Sequence, residues 1–112
     1  MLNQVVLVGR MTSNPNVIET ENGKKYTVIN LAVQRAFKNQ DGIYETDFIR
    51  CILWNGIASN TCEFCKIGDV IGIKGRLQNR IYENNNEETQ YITEVIAERV
   101  TFLSSNKTKK EE

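Results

Sequence analysis

Residues 68–83, G-D-V-I-G-I-K-G-R-L-Q-N-R-I-Y-E, decide how the rest of this chain is read. An extended strand sends alternate side chains to opposite faces. Ile71, Ile73, Leu77 and Ile81 then share one face, while Lys74, Arg76, Gln78, Arg80 and Tyr82 share the other. The first face calls for a core. The second carries three cations, no carboxylate between Lys74 and Arg80, and an aromatic ring at its end.

Residues 48–54, F-I-R-C-I-L-W, repeat the design. Ile49, Cys51 and Leu53 fit a core, and Phe48, Arg50, Ile52 and Trp54 fall on the opposite face. A strand whose outer face met only water would more often place Thr, Lys or Glu there. Phe48 and Trp54 therefore either fill a second core or an interface, or are offered to a ligand. Joined to the basic face of the first stretch, they suit a polyanion whose bases can stack, as in single-stranded nucleic acid.

The chain has 112 residues, enough for one domain with a modest core. Its 14 Lys and Arg balance 14 Asp and Glu, so bulk charge gives no reason to bind a polyanion. The distribution does. Residues 24–80 hold nine cations against five acids, and residues 81–112 hold four against seven. The positive potential is local, as in a groove. The apolar run at residues 5–8 is too short for a signal segment or a membrane span, so a cytoplasmic protein with no membrane partner is expected.

Three Cys and no His argue against a disulfide framework, a metal site or a cofactor. Cys62-Glu63-Phe64-Cys65 lacks the second pair or His that would complete a zinc site, and its helical spacing suits small core residues. No carboxylate pair forms an acid–base constellation: Glu87-Glu88 sits in a polar loop, and Glu94 and Glu98 read as solvated strand residues. The chain reads as a binding protein and not an enzyme.

Outward from the two stretches, residues 5–8 form a strand apolar on both faces, and residues 17–20 a short one. Asn22-Gly23 predicts a hairpin with a type I′ turn. Residues 26–37 form a long strand in which Arg35 and Phe37 share the parity of Ile29, Leu31 and Val33, so a bend or bulge is needed to bring them to solvent. Residues 56–66 predict the one helix, with Ala58, Cys62 and Cys65 on its buried side and Gly68 as its stop. A polar loop at 83–88 and a strand at 90–103 follow. The expected fold is all-β: five antiparallel strands in an OB-fold barrel, with one α-helix between the third and fourth. The domain spans 1–103, and 104–112 is a short polar, disordered tail.

Several stretches together resemble the bacterial-type single-stranded DNA-binding proteins. They are M-L-N-Q-V-V-L-V-G-R-M-T at the start, Asn22-Gly23, L-A-V-Q-R-A-F ending at Phe37, D-F-I-R-C-I-L-W ending at Trp54, the stretch from Lys66 to Glu83, and T-E-V-I-A-E ending at Glu98. The likeness is colinear over residues 1–103. It implies sequence-independent binding of single-stranded DNA in replication, recombination or repair, by a homotetramer of OB-folds paired through the N-terminal strand. It also implies that Phe37, Phe48, Trp54 and Tyr82 occupy base-stacking positions, and that Arg35, Arg76 and Arg80 line the DNA path. Arg50 and Lys74 are assigned to that path by strand face alone.

Many such proteins continue into a Gly-, Pro- and Gln-rich tail whose acidic, apolar tip recruits replication and recombination proteins. This sequence reaches K-K-E-E without an apolar tip residue, which fits a short paralogue or a phage- or plasmid-borne version and leaves recruitment by that route unsupported. The competing reading is an OB-fold accessory module in which protein contacts dominate and the rings are interface residues.

Overall fold

Val, Ile, Thr and Tyr fill the long alternating stretches of this chain, and such side chains suit a pleated, half-buried sheet. The computed structural model describes residues 1–105. Its elements are β1 (Val5–Met11), β2 (Ile18–Glu19), β3 (Lys25–Lys38), β4 (Tyr44–Trp54), α1 (Asn55–Phe64), β5 (Val70–Glu83) and β6 (Thr89–Ser104). The strands lie in the order β1-β5-β6-β4-β3-β2, and β1 also pairs with β3, which closes the sheet. Five main strands form the barrel and β2 adds two residues to the side of β3. The architecture is the expected OB-fold, with α1 after the third main strand.

One pairing departs from the all-antiparallel expectation. β4 and β6 run parallel, with Cys51 opposite Val95 and Ile52 opposite Ile96. The helix lets β5 set off beside β1. β6, returning antiparallel to β5, then arrives beside β4 pointing the same way.

The core fills the barrel. Ile29 and Leu31 from β3, Cys51 and Leu53 from β4, Ile71 and Ile73 from β5, and Val95 from β6 are all buried, with Ala58 of α1 closing one end. Each fully buried Ile or Leu contributes roughly 1.5–3 kcal/mol relative to exposure.

Leu77 and Ile81, expected in that core, are exposed. β1 covers β5 only from Val70 to Gly75. The β5–β6 register shifts between Lys74 and Gly75. β4 still flanks β6 at Val95 and Ile96, opposite Leu77 and Arg76, and from Gln78 and Glu94 outward β5 and β6 continue as a two-stranded arm. Gly75 permits the close crossing, since a Cβ there would lie 2.1 Å from the Ile96 carbonyl oxygen. The distal end of the β3–β4 hairpin forms a second, shorter arm, with a register irregularity between Gln34 and Lys38.

The hairpin at Asn22-Gly23 uses a different turn from the expected type I′. Thr20 C=O accepts from Gly23 N–H at 3.0 Å, and positive φ occurs at Gly23 (85°) but not at Asn22. That is a type I turn followed by one left-handed residue, the common three-residue hairpin. The same turn recurs at both arm tips, with Gly42 (φ 77°) and Glu87 (φ 63°) in the left-handed position.

The helix ends at Phe64, two residues short of the expected limit, and buries Ala58 and Thr61. Cys65 is buried as the extended residue beyond it, and Cys62 is half-buried. Gly68 serves the turn after the helix, not its last turn. There Lys66 N–H donates to Asp69 Oδ2, Ile67 N–H to Asn14 Oδ1 and Gly68 N–H to the Met11 carbonyl. These bonds tie the start of β5 to the end of β1. The polar segment expected after β6 lies, from residue 106 onward, outside the described residues.

Candidate nucleic-acid interface

Alternation along β4 puts Phe48, Arg50, Ile52 and Trp54 on the outer side of the barrel, as read from sequence. Trp54 ends β4 and forms the N-cap of α1, so its backbone is fixed from two sides. The next residue, Asn55, adopts φ 53°, a conformation Asn tolerates, and its Oδ1 accepts from Lys25 N–H at 3.3 Å. Tyr26 stands opposite Trp54 in the β3–β4 register, and the two rings lie 5.3 Å apart at 42°. Tyr26 thus packs against the Trp54 ring, and Trp54 remains 37% exposed.

The outer faces of β3, β4, β6 and β5 enclose a groove of about 410 Å³. Ile52 and Ile96 form its floor, Tyr26 and Trp54 one wall, and Arg50 and Arg80 reach in from opposite sides. Arg76 stands at its edge, where its Nη1 donates to Gln78 Oε1 at 2.6 Å. Phe48 continues the β4 face beyond the groove and is 67% exposed. Tyr82 lies farther out on the β5–β6 arm, with the Arg80 guanidinium 5.9 Å from its ring centre.

The other candidates lie elsewhere. Phe37 is on the β3–β4 arm and 84% exposed. Arg35, on the same arm, binds both oxygens of Asp47 at 2.9 and 3.1 Å and Glu45 at 2.7 Å. The hydrogen bond from Arg35 holds the Asp47 carboxyl below the usual carboxylate range. The register irregularity expected near Arg35 and Phe37 is present, but both reach solvent because their hairpin extends past the barrel end. Lys74 lines a different concavity of about 260 Å³, beside Val6, Val8 and Arg99.

Cations that look unopposed along the sequence are paired in three dimensions. Arg50 and Arg80 both contact Glu94, and Arg76 Nε lies 3.7 Å from Glu98 Oε2. Both carboxylates come from β6, the acidic half of the chain laid against the basic half. Glu94 is 4% exposed, which overturns its reading as a solvated strand residue.

The three cysteines have the character of core groups. Burial pushes the Cys51 thiol up to about 12. Burial first, then the neighbouring Asp69 and Cys62 charges, push Cys65 up to about 11, and burial raises Cys62 as well. A reactive cysteine needs the opposite shift.

Residues 2–103 match the single-strand binding protein family. The chain belongs to that family. It is 46% identical over 108 residues to single-stranded DNA-binding protein 1 of Lactococcus lactis, covering 96% of this chain and 72% of that protein. Two proteins of Bacillus subtilis are also similar. Single-stranded DNA-binding protein A is 48% identical over 103 residues, covering 92% of this chain and 60% of that one. Single-stranded DNA-binding protein B is 44% identical over 103 residues, covering 92% and 91% respectively. The chain thus spans between three-fifths and nine-tenths of the length of these relatives.

Within this single-strand binding family member, sequence reading missed two groove residues. Tyr26 braces Trp54, and its signal was available: it shares the outward parity of Val28 at the start of β3. Glu94 gave no such signal. It belongs to a run of four buried residues, Glu94 to Ala97, where β6 is paired on both edges, to β4 and β5, and the Arg50 and Arg80 side chains close on Glu94.

Proposed function

We propose that this protein binds single-stranded DNA without sequence preference, along a path from Phe48 through the Arg50–Trp54–Arg80 groove and out to Tyr82 on the arm. The observation that carries the reading is the Trp54 ring, braced by Tyr26 and open on an apolar floor between two arginines. Every base has a π face, so stacking on such rings is sequence-tolerant and contributes about 1–3 kcal/mol per base. Duplex DNA hides its base faces, which gives the discrimination. Among the candidate cations Arg50, Arg76 and Arg80 belong to this path. Phe37 serves a strand that extends over the shorter arm. Arg35, held by two carboxylates, has less to offer a phosphate, and Lys74 would meet one only if the strand wraps to the β1 side.

Function is then binding and protection of exposed strands in replication, recombination or repair, in the cytoplasm where such strands arise. We place the subunit in a homotetramer. Support comes from the concavity beside β1, where Val6 and Val8 are exposed and Leu103 completes an apolar lining. Replication or recombination proteins are the partner class.

Titration with poly-dT at two salt concentrations, with mass measured in parallel, tests ligand and assembly together. Trp54→Ala should weaken binding by about 1–3 kcal/mol with the fold intact. Unchanged affinity would remove the ring from the path. Poly-dT that fails to bind the wild-type protein would refute the function.

A further inference from the structure

The two groove arginines share one carboxylate. Glu94 Oε1 lies 2.9 Å from Arg50 Nε, and Glu94 Oε2 lies 3.5 Å from Arg80 Nε. The carboxylate is buried, while the arginine side chains are 40% and 46% exposed. Each contact uses the inner nitrogen of its guanidinium, so the outer Nη groups are not what Glu94 holds. Arginine stays protonated in proteins. Two positive charges and one negative leave the trio one negative charge short.

Glu94 is the only carboxylate lining this groove among the described residues, and the other walls are Ile52, Ile96, Trp54 and neutral neighbours. Burying a carboxylate is costly, and an ion pair so placed is weak evidence of a stabilising role. What the arrangement does achieve is geometric: it fixes two planar donor groups around one opening. A backbone phosphodiester carries the single negative charge that is missing, and guanidinium groups suit phosphate through paired N–H donors.

We propose that Arg50, Glu94 and Arg80 form one phosphodiester subsite, with Glu94 as the positioning residue that both orients the two arginines and sets their combined charge at plus one. The subsite rests on the reading of the groove as a path for single-stranded DNA. It has a consequence that two independent phosphate contacts would not have. Removing either arginine leaves its partner neutralised by Glu94, so the subsite is lost whole. Removing the Glu94 charge as well returns the remaining arginine to plus one.

The test is a set of titrations of dye-labelled oligo-dT, followed by anisotropy over a range of salt concentrations, with folding checked by circular dichroism. Each phosphate contact on a single strand contributes a slope of about 0.7 in log K against log salt. Arg50→Gln and Arg80→Gln should each flatten the slope by about 0.7, and the triple variant that adds Glu94→Gln to both, neutral like either single variant, should flatten it by no more than either alone. Arg80→Gln combined with Glu94→Gln should recover the wild-type slope, a rescue that a merely structural Glu94 would not give. Slopes that add in the triple variant, or a rescue variant that folds yet stays as flat as Arg80→Gln, would overturn the shared subsite. If Glu94→Gln prevents folding, Glu94→Met, uncharged and of similar length, takes its place in both comparisons. Wild-type protein that binds oligo-dT with additive arginine slopes refutes only the subsite; wild-type protein that does not bind refutes the path itself.

Discussion

β5 keeps one alternation from end to end, yet its two halves have different surroundings. In residues 70–75 the inward side chains Ile71 and Ile73 are sealed in the barrel, with β1 on one side and β6 on the other. In residues 76–83 the side chains of the same apolar class, Leu77 and Ile81, stand in solvent, because β6 is the only strand alongside. Periodicity assigns a side chain to a face. Whether that face meets a core depends on how many strands run alongside, and that is a property of the whole sheet. The same division separates roles: the barrel half completes the core, and the arm half supplies Gln78 and Arg80 to the groove and carries Tyr82 beyond it.

The largest effect expected of this contrast is in the barrel. Ile73→Ala removes a fully buried side chain from the centre of the core and should destabilise the fold by about 2–5 kcal/mol, read from the midpoint of urea unfolding. A loss below about 1 kcal/mol would mean that the barrel collapses easily around the gap, and that its packing is no tighter than the arm's.

A smaller effect is expected at the arm tip. Three hairpins in this chain share one turn geometry, and two of them place Gly in the left-handed position. The third places Glu87 there, held by Asn84, whose Oδ1 accepts from Asn86 and Glu88 N–H. Asn39 makes the same pair of bonds to Asp41 and Ile43 in the shorter arm. A left-handed residue other than Gly costs roughly 1–2 kcal/mol, part of which Gly returns through its greater chain entropy. Glu87→Gly should therefore stabilise the arm by about 0.5–1 kcal/mol, seen as slower amide exchange at Tyr82 and Glu83. Unfolding of the barrel should not move. If it did, arm and barrel would be one cooperative unit and the division of β5 would be only geometric.

These contrasts bear on what the sequence made legible. The alternation of residues 48–54 was sufficient to place Phe48, Arg50 and Trp54 outward, since β3 pairs with that whole stretch of β4 without a register shift. It was sufficient for Ile71 and Ile73 and misleading for Leu77 and Ile81, because nothing local marks where β1 stops. Gly75 was visible as a residue but not as the crossing point, which depends on the Ile96 carbonyl in the following strand. The parallel β4–β6 pair and the burial of Glu94 have the same origin: both are set by which strand becomes neighbour to which. Charge was counted along the chain, where Arg76 and Arg80 look unopposed, while their partners Glu98 and Glu94 arrive from β6. The helix limit was misplaced because Gly68 is an equally good residue for the turn that leads into β5.

The smallest expected effect is the one that bears most directly on the arm's exposed apolar face. Ile81 is 62% exposed and pairs across the arm with Tyr91, itself exposed, while Leu77 lies on the same side. If that face meets only water, Ile81→Ala should change stability by less than about 0.5 kcal/mol, as surface substitutions do. A homotetramer offers an alternative to water. Were a neighbouring subunit to cover the arm, the loss would rise toward the cost of emptying a core position and would depend on protein concentration, because it would then be a loss of assembly. Unfolding followed at two protein concentrations separates the cases. A small, concentration-independent change leaves the arm as a free paddle for the DNA strand, and a large, concentration-dependent one makes its underside a subunit contact, with the barrel's logic of burial extended to a second chain.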